Sequence, residues 1–460
     1  MLFMPAKQAI SPFACGGEVL SFRAFVRLKP HDLQPLRRAM RVLIYEPQFL
    51  GHNLAHAARM VRELAKLPCE LTLATSRQAA ESLEFAVQLG ALESAFRLHL
   101  LDEFEWDRNR RRVVVTGPRG IAAAYGGLRS AIRAAEPQHV YVPYGNLLAR
   151  FASWPGEIRR RLAAPQVEAE TLLIGGRYVL PDGSWRGRLR RRLNVMQLAR
   201  SPWTTIFHLD RRAVGEIQRL HPRLRARVRL MPDPVDPATK LEKLAARRLL
   251  GLRENGKIIV VAGLIELRKG VPQLVEALRR IPTGTRLVLA GKADPAVRDW
   301  LHRNGRDLLQ SDRVESLDRY LDAREFAAAI DGADVVAALY PGHAHSSSIV
   351  VAAAAAGRPV LGIDSGWIGE SVRQFDLGVV CRHDNPDDVV RGLREALELS
   401  TAYRLTPRGD FFVAYNSVAN FGAHWSRRLR ERLELPSAPE LLEWPATLDF
   451  TSPASRTRAA

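Results

Sequence analysis

Apolar and polar positions fall into two successive series along the chain. "RVLIYEPQF" (Arg41–Phe49) opens the first as an apolar run bounded by turn residues, the pattern of a buried strand. "GHNLAHAARMVRELAKL" follows, with Leu54, Ala57, Ala58, Val61, Leu64 and Ala65 at helical spacing, and "ELTLATS" then predicts a second strand. Strand, glycine turn, helix and strand make a βαβ unit, whose parallel connection requires a sheet covered on both faces. "HVYVPYG" (His139–Gly145) and "TTIFHLD" (Thr204–Asp210) predict later strands of the same sheet.

The second series restarts the alternation. "KIIVVAG" (Lys257–Gly263) and "TRLVLAG" (Thr285–Gly291) predict strands on either side of the helical "GVPQLVEALRRI", and "ADVVAALY" adds another strand. In "SSSIVVAAAAAGRPV" (Ser346–Val360) the alanine run predicts a helix that Gly357 can end and Pro359 cannot continue. The expected class is therefore α/β, with two Rossmann-like, doubly wound domains facing a central cleft. Their expected bounds are residues 40–231 and 239–408, joined by the Pro- and Asp-rich linker "PDPVDPA" at 232–238. Residues 1–39 read as a tail or a mis-assigned start ahead of Met40. A crossover helix is expected within 409–435, where "FFVAYNSVANFGAHWSRRLRERL" has an aromatic start and a helical finish, and a tail rich in Pro, Ser and Ala at 436–460.

Composition narrows the partners. A chain of 460 residues with 47% hydrophobic content can bury two cores, and no apolar run approaches the roughly 20 residues that span a bilayer. Cys15, Cys69 and Cys381 lie too far apart for a disulfide framework or a cysteine metal site, which fits a reducing cytoplasm. The segment up to Pro30 lacks the basic start and apolar core of a signal peptide. A formal charge of +19 calls for phosphates, nucleic acids or anionic membranes as partners. With 7% aromatics and no nucleic-acid module, a nucleic-acid role is the weakest of the three. "RGRLRRRLNVMQLAR" (Arg186–Arg200) sets Leu189, Leu193, Met196 and Leu198 among Arg186, Arg188, Arg190, Arg191 and Arg192. That basic amphipathic helix is read either as a solvated face over a packed stripe or as a surface for an anionic membrane.

In doubly wound sheets, ligands sit outside the carboxyl ends of the strands. Three loops qualify: "FLGHN" around Gly51 and His52, "GLIELRKG" (Gly263–Gly270) and "YPGHAHSSS" (Tyr340–Ser348). Taken together, the motifs "MPDPVD", "GLIELRKGVPQLVEAL", "LVLAG", "AAAAAGRPVLGIDSG" and "LGVVCRHDNPDDVVRGLREAL" resemble glycosyltransferases of the GT-B fold, family 4-like. The resemblance is strong in the second half and weaker in the first.

The resemblance implies transfer of a sugar from a nucleotide-sugar donor to a glycan or lipid-linked acceptor, with retention, without a metal and with no cofactor beyond the donor itself. It implies the donor on the C-terminal domain and the acceptor on the N-terminal one. Lys269 falls on the family's phosphate-contacting lysine. The family's arginine after the glycine is Leu264 here, with Arg268 as a substitute from another position. Two glutamates that frame the family's donor loop fall at Ala344 and Ala352, so both carboxylates are gone. Ser346, Ser347 and Ser348 remain at a helix N-terminus, where backbone N–H groups hold phosphate. His343 and His345 are candidates for sugar contact, or merely exposed loop residues. Glu370 is a substitute polar contact or a helix cap, His52 an acceptor-side base, and Tyr144 and Asn146 further cleft residues. The competing expectation is a non-catalytic relative that keeps the frame as a scaffold in a glycan pathway.

Overall fold

A computed structural model describes residues 39–49, 53–107, 112–114, 117–148, 156–175, 179–180, 184–235 and 240–445. The first sheet comprises β1 (Met40–Tyr45), β2 (Cys69–Ser76), β3 (Arg97–Leu101), β4 (His139–Val142), β5 (Glu168–Leu173), β6 (Thr205–His208) and β7 (Val228–Leu230), in spatial order β3-β2-β1-β4-β5-β6-β7. The second comprises β8 (Lys257–Ala262), β9 (Thr285–Ala290), β10 (Val314–Ser316), β11 (Val335–Ala338), β12 (Val360–Ile363) and β13 (Gly378–Cys381), in the order β10-β9-β8-β11-β12-β13. Neighbouring strands in both sheets run parallel, with Val42 opposite Leu71 in one and Val260 opposite Val288 in the other. Helices cover both faces, so β9 is buried along its whole length and β8 from Ile258 onward. The doubly wound α/β class expected from the two series is the one observed.

Strand β5 was hidden in the sequence by its glutamates. Glu170 is fully buried, and it is tolerated there because His139 of β4 places Nε2 3.4 Å from its carboxylate. His139 itself stacks on Tyr141 at 4.3 Å. An apolar pattern cannot reveal a strand whose buried carboxyl is answered by a distant histidine.

The chain passes between the lobes after Asp233 and again at Asn416, and these crossings are joined. Phe411, Phe412 and Tyr415, on helix Pro407–Tyr415, belong to the second core, whereas Phe421, Trp425 and Leu429, on helix Val418–Arg432, belong to the first. The expected single crossover helix is thus two helices with the crossing at Asn416 and Ser417. Asn416 Oδ1 accepts the Asp233 N–H at 2.9 Å, and Val235 bridges Ser417, so the outgoing strand of chain is bonded to the returning one. Residues 436–445, expected as tail, pack instead. Trp444 meets Tyr415 at 4.8 Å and Phe375 at 5.4 Å, and the Arg211 guanidinium of the first lobe lies 5.6 Å from its ring.

Helix Trp185–Arg200 corrects the expected packed stripe. Gly187, Arg191, Val195 and Leu198 face inward, while Leu189, Leu193 and Met196 face solvent. Leu198 stands about two and a half turns beyond Leu189, which puts the two on opposite faces. Arg191 is drawn in by Glu216 at 2.7 Å.

Asp334, at the start of β11, accepts the Ile258 N–H at 2.8 Å and pairs with Arg247 at 2.8 Å and Lys243 at 2.5 Å. It thereby pins β8 and β11 at their amino ends. Burial works against its ionisation, but the Lys243 ammonium and the Ile258 N–H outweigh burial and hold its pKa below the usual carboxylate value. Because the folded pKa is depressed, this stabilisation is present above the unfolded carboxylate pKa and is lost as pH falls through the folded value. Asp334→Ala, which strands a buried arginine, is expected to cost about 3–5 kcal/mol in urea melts at pH 7 and to flatten the acid side of the stability profile. Asn416→Ala leaves the buried Asp233 N–H unpaired; a loss of about 1–3 kcal/mol and faster hydrogen exchange at Asp233 are expected.

Candidate functional site

Where strand order reverses, two neighbouring parallel strands send their following loops apart and leave a crevice at their carboxyl ends. In the second lobe that point lies between β8 and β11. After β8 the chain passes Gly263, makes a short turn at Leu267–Lys269 and enters helix Val271–Leu278. Gly270 has φ 76°, and a Cβ there would collide with the Leu339 carbonyl, so glycine lets this loop close onto the end of β11. Lys269 is carried into the crevice. It is buried, its Nζ donates to the Ala262 carbonyl at 2.6 Å and lies 5.8 Å from the Tyr340 ring centre. A Cβ on Gly263 would lie 3.2 Å from Nζ. Burial first, and Arg268 second, lower the Lys269 pKa to about 8 against the opposing pull of Glu266. A cation so poorly solvated gains much from an incoming anion.

Arg268 is turned elsewhere. It is half exposed and pairs with Glu266 at 2.5 Å, so the expected phosphate fork is engaged by its neighbour.

The loop after β11 brings the hydroxyl triplet to the same crevice. Tyr340 is buried, which raises its phenol pKa, and its hydroxyl is hydrogen-bonded to the Ser347 side chain. Helix Ser348–Ala355 starts at the next residue, with no side-chain cap on its opening N–H groups. His343 donates from Nε2 to the Ser346 carbonyl at 3.2 Å and meets Tyr340 and His345 edge-on at 5.6 Å. His343 thus braces the loop, and His345 is the histidine that reaches across to the first lobe, where Gly175 faces its ring.

The first lobe answers with residues the sequence reading did not single out. Arg212 donates to the Ala344 carbonyl, pairs with Asp210 at 2.7 Å and lies 3.8 Å from Glu370. A cation from the opposite lobe therefore occupies the neighbourhood of the first missing glutamate. Glu370 sits within helix Gly366–Gln374, four residues past its start, so it does not cap that helix. His208, at the end of β6, accepts the Asp210 N–H on Nδ1 at 2.9 Å, which leaves its ring proton on Nε2, where no partner is found among the described residues. Burial lowers its pKa to about 4, Asp210 opposes, and His345 and Arg212 act with burial, so the ring is neutral at pH 7. Glu46, at the first lobe's own reversal point between β1 and β4, is fully buried with Oε2 unpartnered. Burial raises its pKa to about 8 against a lowering hydrogen bond from Gln48 N–H, so it carries its proton at neutral pH.

Gly51 and His52 lie outside the described residues. Tyr144 sits half-buried in the turn after β4. Asn146 is committed to the backbone, its amide pairing both ways with Ile174 at 2.5 and 2.7 Å, which makes it a brace rather than a cleft ligand. Ala352 is buried on its helix. Among the described residues no cluster of three His, Cys, Asp or Glu side chains is placed to hold a metal.

Residues 242–407, which carry this crevice, match the family described as glycosyl transferases group 1. The chain is 32% identical over 147 residues to glycogen synthase of Mycobacterium tuberculosis, covering 30% of this chain and 34% of that one. It is 32% identical over 172 residues to D-inositol 3-phosphate glycosyltransferase of Xylanimonas cellulosilytica, covering 35% and 40%. The matches thus span between about a third and two fifths of these relatives' lengths. Among solved structures, sucrose-phosphate synthase from Thermosynechococcus elongatus aligns with a TM-score of 0.62 at 15% identity, over 86% of this chain and 99% of that one. HepE from Anabaena, in complex with UDP and glucose, aligns at 0.57 and 12%, over 85% and 100%. UDP-GlcNAc 2-epimerase from Neisseria meningitidis, bound to UDP-GlcNAc, aligns at 0.54 and 13%, over 85% and 100%. At these identities the likeness is one of fold, and it is shared by enzymes of different reactions. The chain has the two-lobed GT-B fold, and residues 242–407, in its second lobe, match the glycosyl transferases group 1 family.

Proposed function

We propose that the chain transfers a hexosyl unit from a nucleotide-sugar donor to a glycan or lipid-linked acceptor, with retention and without a metal, in cell-surface polysaccharide or glycolipid synthesis at the cytoplasmic face of a membrane. The observation that carries this reading is Lys269, a buried ammonium at the strand-order reversal, beside Gly263 and the ring of Tyr340, whose hydroxyl bonds Ser347 just ahead of helix Ser348–Ala355. As the glycosidic bond breaks, negative charge grows on the leaving nucleoside diphosphate. A desolvated cation and helix N–H dipoles already aimed at that charge lower the barrier without reorganising. The solved relatives that hold UDP and UDP-sugars support the donor class.

A sugar-side role falls to His345, His208 and Arg212, gathered near Ala344. The carboxylates there, Asp210 and Glu370, lie beside the Arg212 guanidinium. Arg212, held by Asp210 and the Ala344 carbonyl, instead favours a second reading, in which the frame binds a nucleotide sugar or a partner without turnover.

Thermal shift against UDP-, GDP-, ADP- and CMP-sugars is expected to show a rise with one donor class. Lys269→Ala is expected to weaken that donor's binding by roughly 10–100-fold, the worth of one charge-assisted hydrogen bond. Binding with no sugar release on prolonged incubation selects the second reading, and absence of any donor binding refutes the first. The pH dependence has a definite sign. In the free protein the Lys269 cation is lost as pH rises through about 8, whereas bound phosphate raises that pKa. Donor affinity measured by calorimetry is therefore expected to hold from pH 7 to 8 and then fall, approaching tenfold per pH unit, with the slope absent in Lys269→Met.

A further inference from the structure

We infer that the outer face of helix Trp185–Arg200 docks the protein onto an anionic lipid bilayer. Four large apolar side chains lie exposed on one face over three turns: Trp185 at 63%, Leu189 at 52%, Leu193 at 48% and Met196 at 41%. Their spacing is i, i+4, i+8 and i+11, one continuous stripe of a straight helix. The stripe is fixed outward, because Ser184 caps the helix through the Gly187 N–H at 2.9 Å and Arg191 is clamped inward on Glu216.

Cations flank the stripe. Arg186, whose guanidinium lies 5.4 Å from the Trp185 ring, is joined by Arg188, Arg190, Arg192 and Arg200, and no Asp or Glu occurs in the helix. Apolar side chains bordered by arginine suit the boundary between acyl chains and acidic headgroups, where each apolar group loses water and each guanidinium meets phosphate. Charge complementarity thus selects an anionic bilayer. The charge of +19 on the whole chain acts in the same direction.

The location fits delivery of a lipid-linked acceptor. In a parallel sheet the helix between β5 and β6 runs back from the carboxyl ends of the strands, so its Trp185 end lies on the side of His208 and Arg212 and its Arg200 end lies away from them. A bilayer held on this face meets the first lobe beside the carboxyl ends that face the donor crevice. That placement rests on the sugar-transfer reading, whereas the docking itself is independent of it.

The test is flotation of the full chain with vesicles of phosphatidylcholine alone or mixed with phosphatidylglycerol, at low and high salt. Binding is expected with the anionic vesicles only, falling with salt, and falling roughly fivefold for each of Arg186→Gln and Arg192→Gln. The triple variant Trp185→Ser, Leu189→Ser, Leu193→Ser changes exposed side chains alone and is expected to float at background level with an unchanged melting temperature. Lys269→Ala is expected to float as the parent does, which separates docking from donor binding. Equal binding to neutral vesicles, or undiminished binding by the triple variant, overturns the inference. So does capture of a single-stranded oligonucleotide in place of vesicles, or a dimer in sedimentation that the triple variant abolishes.

Discussion

Every strand of a parallel sheet must deliver its carboxyl end to the same side, because the chain returns over the sheet before it can pair again. The site of this protein is a consequence of that constraint imposed twice. β8 and β11 end together at Ala262 and Ala338, and the loops that leave them carry Lys269, Tyr340 and Ser347 to one crevice. β6 ends at His208 in the other lobe, and the next helix begins with Arg211 and Arg212. The lobes are joined where the chain crosses between them beside itself, with Asn416 bonded to the backbone of Asp233, and by Arg212 on the Ala344 carbonyl.

The electrostatics of the crevice follow from burial rather than from a surplus of charge. The chain is rich in arginine, yet Arg268 and Arg212 are both paired with carboxylates. Lys269 has a carbonyl and an aromatic ring instead, neither of which cancels its charge. Under the proposed function a bound phosphate adds to the weak pull of Glu266 as counter-charge for Lys269. The loop from Ala344 through Ser348, which has no Asp, Glu, Lys or Arg, is compatible with such a phosphate because helix N–H groups need no charged side chain to hold it.

Much of the frame was legible because burial on both faces leaves unbroken apolar strands such as "IIVVA", and glycine marks where they end. Lys269 was legible from its position after such a strand. What stayed hidden depended on distant partners. Arg212 acquires meaning through Ala344, 132 positions away, and β5 through His139. Glu46 and His208 lay inside stretches read correctly as strands. The signal available was a single polar residue at the carboxyl end of an apolar run, "VLIYE" and "TIFH", in a fold whose ligands gather at such ends. The helix of arginines was found but its faces were misassigned, since Leu198 lies opposite Leu189 and a pattern that mixes leucine with arginine all round does not state which side is buried.

Lys269 and the start of helix Ser348–Ala355 are proposed to form a diphosphate site. A crystal structure with a bound nucleoside diphosphate tests it most directly. A phosphate oxygen is expected within hydrogen-bond distance of Lys269 Nζ and of backbone N–H groups in the first turn of that helix. A diphosphate seated elsewhere, with Lys269 still bonded to the Ala262 carbonyl alone, contradicts it.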